Sequence, residues 1–561
     1  MCSQTALAAG LIILTMIDAL RELGWELKAS LDVSGVVSLT VVYCPFLSIF
    51  FRPSMGCVCC SGLEGLYEPS PDTPTPQGLC ALTFCGMGAL YGLKCPEDVK
   101  QAVRNALGRR HLKGDGPSDK AKGLHKFKLS SKLWMANGKK TVEVRRVIMR
   151  MIEELRKVRW EVVEDVDMSR SGFLQVLILR RREGDDFEGP YRKDFVVGLH
   201  GSDDIRLLCE DEATRVFNIT EAARIGIESS WRIAREGDYG GAHEFVLKGR
   251  PFGSLGANGE DSVKIRRMLV AMCAQIEKGT GYRMVHSLAL SAGKATKSSL
   301  IFRHYESSRE YGEVTYVGLS LNDIDDVRLM WPPWAALDET VKDTLRAAVR
   351  DGWPRGIQRE REYGGAHEWK LSGRPWDAHG TETVDSRILV GRMLKGMWAL
   401  GFELMPKIDC SGKLADMSLM VFRRPKEGSV PLPPTEHVLG VSMHDTDDIR
   451  LTCTDEKILD AIEGPVREAL MRPTMTADPI KRFGRYGRSL QMKLKGSPFH
   501  TCTDSHNALY CGSVLLSLVD VLYQLGWVMR TALDVSRKYY ADDKNQYKLD
   551  TATMYFTHAR I

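Results

Sequence analysis

The chain has 561 residues, 27% of them charged and 43% hydrophobic, with 77 basic against 72 acidic side chains for a net charge of +5. That composition belongs to a globular protein of several domains and excludes wholesale disorder, collagen and a polytopic membrane protein. The charge is uneven, since residues 96–160 hold 18 Lys/Arg against 7 Asp/Glu, a local +11.

The first predicted element is an apolar helix over Ala6–Leu20. No basic residue precedes it and Asp18 interrupts it, so it reads as a buried helix, neither a secretory signal nor a span. Ala6–Ser34 matches Ala508–Ser536, both running through Leu-Gly-Trp to Leu-Asp-Val-Ser. A strand follows at Val36–Tyr43, and then Cys44–Pro76, which has no counterpart elsewhere in the chain. This insert places an apolar run, Pro45–Phe51, before Cys57, Cys59 and Cys60, and ends in the proline-rich Pro69–Pro76. Three readings stand side by side. The first is a loop with buried thiols. The second is zinc held by thiolates drawn from these cysteines with Cys80, Cys85 and Cys95, for which no clean Cys-x-x-Cys pair is present. The third is S-acylation at Cys57, Cys59 and Cys60, with peripheral membrane contact. Met55-Gly-Cys-Val-Cys-Cys-Ser61 resembles the acylated amino termini of Src-family kinases.

The basic stretch 96–160 contains Arg109, Arg110, Lys113, Lys139 and Lys140, the residues expected to meet an anionic partner. Apart from Trp160, which is expected in the core, Phe127 and Trp134 alone could stack on bases there, so nucleic-acid binding ranks below the other readings.

From residue 126 onward the chain repeats itself. Tyr239-Gly-Gly-Ala-His-Glu-Phe-Val-Leu-Lys-Gly-Arg-Pro-Phe252 returns as Tyr363-Gly-Gly-Ala-His-Glu-Trp-Lys-Leu-Ser-Gly-Arg-Pro-Trp376, more weakly at Tyr486–Phe499, and in degenerate form at Lys126–Trp134. Asp203-Asp204-Ile205-Arg206-Leu207 recurs around Arg328 and Arg450, 122 residues apart each time. Within a copy, Glu244–Leu247 predicts a strand. Ile265, Met268, Leu269, Met272 and Ile276 at helical spacing predict a helix. Strands are predicted at Met284–Ser291, Ser299–His304, Val314–Leu321 and Val327–Trp331, and a closing helix at Asp338–Arg350. The fold class that follows is α+β, a tandem repeat of about 122-residue β-α-β-β-β-β-α modules, antiparallel sheets with helices packed on one face. The module boundaries read as 96–236, 237–360 and 361–481, with an incomplete first copy over 1–95 and an incomplete last one over 482–561. The element order is similar to that of TATA-binding-protein-like and helix-grip domains. Two half-copies imply exposed strand edges that pair with each other or with a second molecule.

Gly24-Trp25, Arg159-Trp160, Gly281-Tyr282, Gly401-Phe402 and Gly526-Trp527 mark the helix-to-strand turns, and their rings are expected in the core. Arg206, Arg328 and Arg450 alternate with apolar neighbours, so they are expected at the surface beside their turn aspartates, where such pairs contribute little. His243 and His367 lack a second histidine at helical spacing, which leaves no His-Glu-x-x-His metal site. No Walker loop, calcium loop or Gly-x-Ser-x-Gly elbow is present. Fourteen cysteines, six of them scattered singly after residue 95, fit a reduced intracellular chain. The expectation is a cytoplasmic, non-catalytic repeat protein without cofactor or metal, acting as a protein-interaction scaffold. Carriage of a lipid or other apolar ligand in helix-grip-like modules is the alternative, and nucleic-acid binding through 96–160 the second.

Overall fold

The computed structural model describes residues 26–27, 40–44, 47–51, 78–85, 88–118, 124–130, 133–136, 138–168, 174–182, 193–211, 213–254, 259–288, 298–305, 314–410, 417–425, 436–471, 480–496, 498–499, 506–537, 539–541, 546–548 and 550–558. They fall in two compact units, one within 1–75 and one from 76 to 560. In the first, β1 (Glu26–Leu27), β2 (Thr40–Cys44) and β3 (Leu47–Phe51) form an antiparallel sheet in that order. Part of the insert's apolar run is therefore a strand. The Ala6–Leu20 helix, Trp25, Cys57, Cys59 and Cys60 lie outside the described residues.

The second unit holds four modules of one design. Module one runs β4 (Leu79–Cys85), β5 (Ala89–Leu93), α1 (Glu97–His111), β6 (Leu112–Pro117), β7 (Leu124–Leu129), α2 (Lys140–Lys157), β8 (Trp160–Asp167) and β9 (Leu174–Arg181). Module two has β10 (Phe195–His200), β11 (Asp204–Leu208), α3 (Ala213–Glu228), β12 (Ile233–Asp238), β13 (His243–Leu247), α4 (Glu260–Thr280), β14 (Tyr282–Leu288) and β15 (Ser299–His304). Module three has β16 (Val314–Asn322), β17 (Asp326–Met330), α5 (Glu339–Gly352), β18 (Ile357–Tyr363), β19 (Ala366–Leu371), α6 (Glu382–Ala399), β20 (Glu403–Leu404) and β21 (Leu419–Pro425). Module four has β22 (Val438–His444), β23 (Asp448–Cys453), α7 (Lys457–Met471), β24 (Ile480–Tyr486), β25 (Ser489–Leu494), α8 (His506–Gln524) and β26 (Trp527–Leu533). A small hairpin of β27 (Tyr539–Ala541) and β28 (Gln546–Lys548) follows, and then β29 (Asp550–His558).

Each module closes one six-stranded antiparallel sheet, ordered β6-β7-β5-β4-β9-β8 in the first and equivalently in the others. The α+β tandem repeat is thus the fold, but the hydrogen-bonded module is phased differently from the 96–236, 237–360 and 361–481 division. The strands of 482–561 complete the sheet that β22 and β23 begin, and β4–β5 of 1–95 open the first sheet. β4–β5 and the strands of 482–561 are parts of whole modules, because β4 and β22 each find their partner across the repeat boundary, whereas β1, β2 and β3 stand in a sheet of their own. The sequence reading also lacked one strand per module, the one after the first helix (β6, β12, β18 and β24). It carries few apolar residues because it is the exposed edge of its sheet.

Local signals fix the elements. Asp338 caps α5 by accepting from the Thr340 amide at 2.9 Å. Gly281, Gly401 and Gly526 turn out of the second helix with φ of 76°, 77° and 80°; Arg159 takes the same left-handed conformation, φ 63°, in module one. The ring after each turn is buried, as expected: Trp160, Tyr282, Phe402 and Trp527.

The modules close on themselves. The second helix of each packs under its own sheet and onto the far face of the next, α2 on β10 and β11, α4 on β16, α6 on β22, and α8 back onto β4 and β9. One continuous core therefore joins module four to module one, with Leu515, Val519 and Leu522 beside Ala81, Tyr91 and Ile178. Strand β8 meets β14 and β26, which puts the inner sheet edges together. There Lys407 of module three lies 3.3 Å from Asp165 and 3.5 Å from Glu164 of module one, and the Ala532 amide of module four donates to Glu164 at 3.2 Å. Burial, opposed by Lys407 and reinforced by Asp165, pushes the Glu164 carboxyl up to about 7.

Each helix end addresses its neighbour with different chemistry. Arg156 meets Asp194, which Arg303 also holds at 2.8 Å. The equivalent Glu277 meets Arg423 at 2.7 Å and accepts from Tyr316. Trp398 takes that place in module three, and Tyr523 in module four lies under Arg180. A misplaced neighbour would bury a charge without its partner, so these differences disfavour docking a helix on the wrong module. Among the described residues no helix is long and apolar enough to cross a membrane.

Candidate functional site

The expectation for the recurrent arginines is overturned. Arg206, Arg328 and Arg450 are 4%, 2% and 8% exposed. Alternation did point them away from their own module's core, but that face is covered by the preceding module's second helix. Arg206 donates to Glu244 at 2.8 Å, to Asp204 at 3.1 Å and to Thr141 of α2 at 3.2 Å, and its guanidinium stacks 3.8 Å from the Tyr239 ring. Arg328 repeats this with Glu368 at 2.8 Å, Asp326 at 3.0 Å and the Tyr363 ring. Arg450 donates to Thr383 of α6 at 2.9 Å and stacks on Tyr486, but faces Gln491 where its counterparts face glutamate.

A second arginine, four residues after the helix Thr or Ser, completes each junction: Arg145, Arg266 and Arg387, all buried. Sequence reasoning missed this set, although a spacing of 121 residues runs through it. Arg145 donates to Ser299 at 3.2 Å and to the Leu199 carbonyl at 3.3 Å, and a Cβ on Gly198 would overlap its guanidinium. Burial, helped by Arg206, lowers its pKa to about 10. At the closing junction Gly512 stands for the helix arginine and Tyr91 for the strand arginine, so that contact carries neither guanidinium. These residues join modules and offer no open site.

The repeated histidines are also built in. His125, His243 and His367 each sit 2.7 Å from a carboxylate on the edge strand, Asp115, Glu236 and Glu360. An arginine of the first helix, Arg104, Arg224 or Arg346, reaches the same carboxylate. The Arg346 hydrogen bond, opposed by burial and helped by His367, holds Glu360 down at about 2. In module four the chain becomes Arg467, Phe483 and Leu490, with the guanidinium over the ring. Among the described residues no group of three His, Cys, Asp or Glu side chains could hold a metal.

An open feature lies beside the second of these chains. A cleft of about 220 Å³ runs between the end of β11 (Leu207, then Cys209), α3 (Val216, Thr220) and the β12–β13 hairpin (Asp238, Gly241, Ala242, His243). Cys209 is half-buried, and burial pushes its thiol up to about 11. Phe217, 66% exposed, follows Val216 on α3, and Ile225 is exposed two turns on.

The candidate anion contacts are exposed. Arg109, Arg110 and Lys113 lie at the end of α1 and the start of β6, and Lys139 and Lys140 at the start of α2. Glu143, one turn into α2, draws the two groups together by pairing with Arg110 at 3.5 Å and His111 at 3.2 Å.

A domain-family model matches residues 79–185, 194–303, 315–423 and 437–557, the four modules nearly strand for strand. The chain belongs to that family. No curated protein and no solved structure matches it.

Proposed function

We propose that the protein is a non-catalytic interaction scaffold, a closed set of four modules that offers its outer sheet edges to extended segments of other proteins. The observation that carries this reading is the repeated edge strand. β6, β12, β18 and β24 each end their sheet, with one backbone side unpaired among the described residues and most side chains exposed or half-buried. An unpaired edge is a template for an added strand, and pockets for alternate side chains then give specificity. All four edges are charged or bulged, with register shifts at Leu112/Gly114, Ile233/Arg235, Ile357/Arg359 and Ile480/Arg482. Such features oppose indiscriminate pairing and favour selected partners. The interiors are filled by large side chains, including Trp134, Trp353, Trp369 and Trp376, which favours a scaffold over carriage of an apolar ligand.

Hydrogen exchange on the full chain with and without a partner identified by proximity labelling tests the proposal. Slowed amide exchange confined to one or more of the four edge strands is the expected result. Protection of helix faces only, or of nothing, would refute it.

A further inference from the structure

The cleft in module two is best understood from what module three puts in the same place. The sheet registers align them, since Leu207 pairs with His243 and Leu329 with His367. Two residues beyond each leucine stand Cys209 and Trp331. Arg224 and Arg346 match through their bonds to Glu236 and Glu360, so Thr220 corresponds to Lys342, four residues earlier on the helix. Asp238 corresponds to Glu362, because each is the strand partner of its module's histidine.

In module three these positions are satisfied from within. The Trp331 ring packs against the core, and Lys342 sits 5.8 Å from that ring. Lys342 also pairs with Glu362 at 3.6 Å, and His367 Nδ1 lies 2.8 Å from the same carboxylate. Module two has lost both the ring and the cation. Cys209 and Thr220 are too small to fill the space, and Asp238 has no basic partner among the described residues. At about 220 Å³ the cleft is below the size usual for a cofactor or drug-sized ligand and suits one large side chain. Its wall is continuous with the exposed edge strand β12, which ends at Asp238.

We infer that module two is a docking site for an extended segment of another protein, which pairs along β12, inserts an aromatic side chain beside Cys209 and sets a lysine or arginine against Asp238. The segment supplies in trans the ring and the cation that module three carries in its own chain. This inference rests on the edge-strand reading above and names the edge and the partner chemistry.

The test uses the full chain and a fluorescent eight-residue peptide of β-branched residues, with tryptophan and lysine at its centre. Two control peptides carry alanine for the tryptophan or glutamate for the lysine. The first peptide should bind at least tenfold more tightly than either control. It should slow alkylation of Cys209 by iodoacetamide, followed by peptide mapping, at least fivefold, leaving the other mapped cysteines unchanged. Cys209→Trp, which fills the cleft from within as module three does, should abolish binding, whereas Cys209→Ser should keep it. If the tryptophan variant misfolds, the alkylation result on the native chain still decides. Equal affinity for the three peptides, or unchanged Cys209 alkylation at saturation, would overturn the inference. Protection of β12 amides alongside unchanged alkylation would overturn the anchor while leaving the edge-strand proposal standing. Absence of protection at all four edges would remove both.

Discussion

Replacing Arg328 with methionine separates a buried junction from a surface pair. A surface arginine beside aspartates would contribute less than about 1 kcal/mol. In the structure the guanidinium is 2% exposed and lies between Asp326 and Glu368, with the Tyr363 ring 4.7 Å away. Breaking one side of a buried pair costs about 3–5 kcal/mol, because the remaining charge stays desolvated. Glu368 keeps Arg361 at 2.7 Å and Asp326 keeps Lys370 at 3.7 Å, which places the loss near the lower end, about 3 kcal/mol, with the stacking contact included. The pH dependence has a definite sign. Burial, with Glu368 adding to it and Arg328 opposing, already raises Asp326 to about 6, whereas the hydrogen bonds from Arg328 and Arg361 hold Glu368 below its ordinary value against burial, and removing Arg328 moves both carboxyls upward. A carboxyl whose folded pKa exceeds its unfolded value stabilises the fold at low pH, and that stability is lost as pH rises through the folded value. The deficit should therefore be smaller at pH 5, where Asp326 is largely protonated, than at pH 8. Urea unfolding at both pH values measures it, and Arg328→Met combined with Glu368→Gln should recover part of the loss. A deficit below 1 kcal/mol, equal at the two pH values, would return Arg328 to the surface and refute the junction.

Glu164, held up near 7 by burial at the meeting point of three modules, should make the wild type lose stability as pH rises from about 4.5 to about 7. Glu164→Gln should flatten that decline in thermal unfolding, and an unchanged slope would count against it. Gly198→Ala forces Arg145 out of its place and should lower the unfolding midpoint, whereas alanine at Gly464, where nothing lies near the added carbon, should not. Truncating Tyr282 or Phe402 to alanine should cost about 3–5 kcal/mol by denaturant titration, because both rings are fully buried. Cys57, Cys59 and Cys60 are tested by cell fractionation. If acylation holds the chain at membranes, their triple serine variant shifts to the soluble fraction; identical partitioning removes that reading.

The repeat itself, its length, the two helices of each copy and most of the strands were legible in the sequence, because apolar periodicity and glycine placement are local properties. The core position of the ring after each turn followed from the same periodicity. The edge strands were not legible. Ile357–Tyr363 reads Ile-Gln-Arg-Glu-Arg-Glu-Tyr, and a strand bordering solvent carries no apolar stripe to announce it. The phase of the modules was likewise hidden, since a repeat fixes a period but not where hydrogen bonding closes a sheet. Alternation correctly turned Arg206, Arg328 and Arg450 away from their own cores, but only the tertiary structure shows the preceding module's helix lying over that face. The same holds for the cleft. Cys209 is an isolated cysteine in the sequence and becomes meaningful when the sheet register sets it against Trp331. Local pattern decides which side of an element a residue occupies; what lies on the other side depends on contacts between modules more than a hundred residues apart.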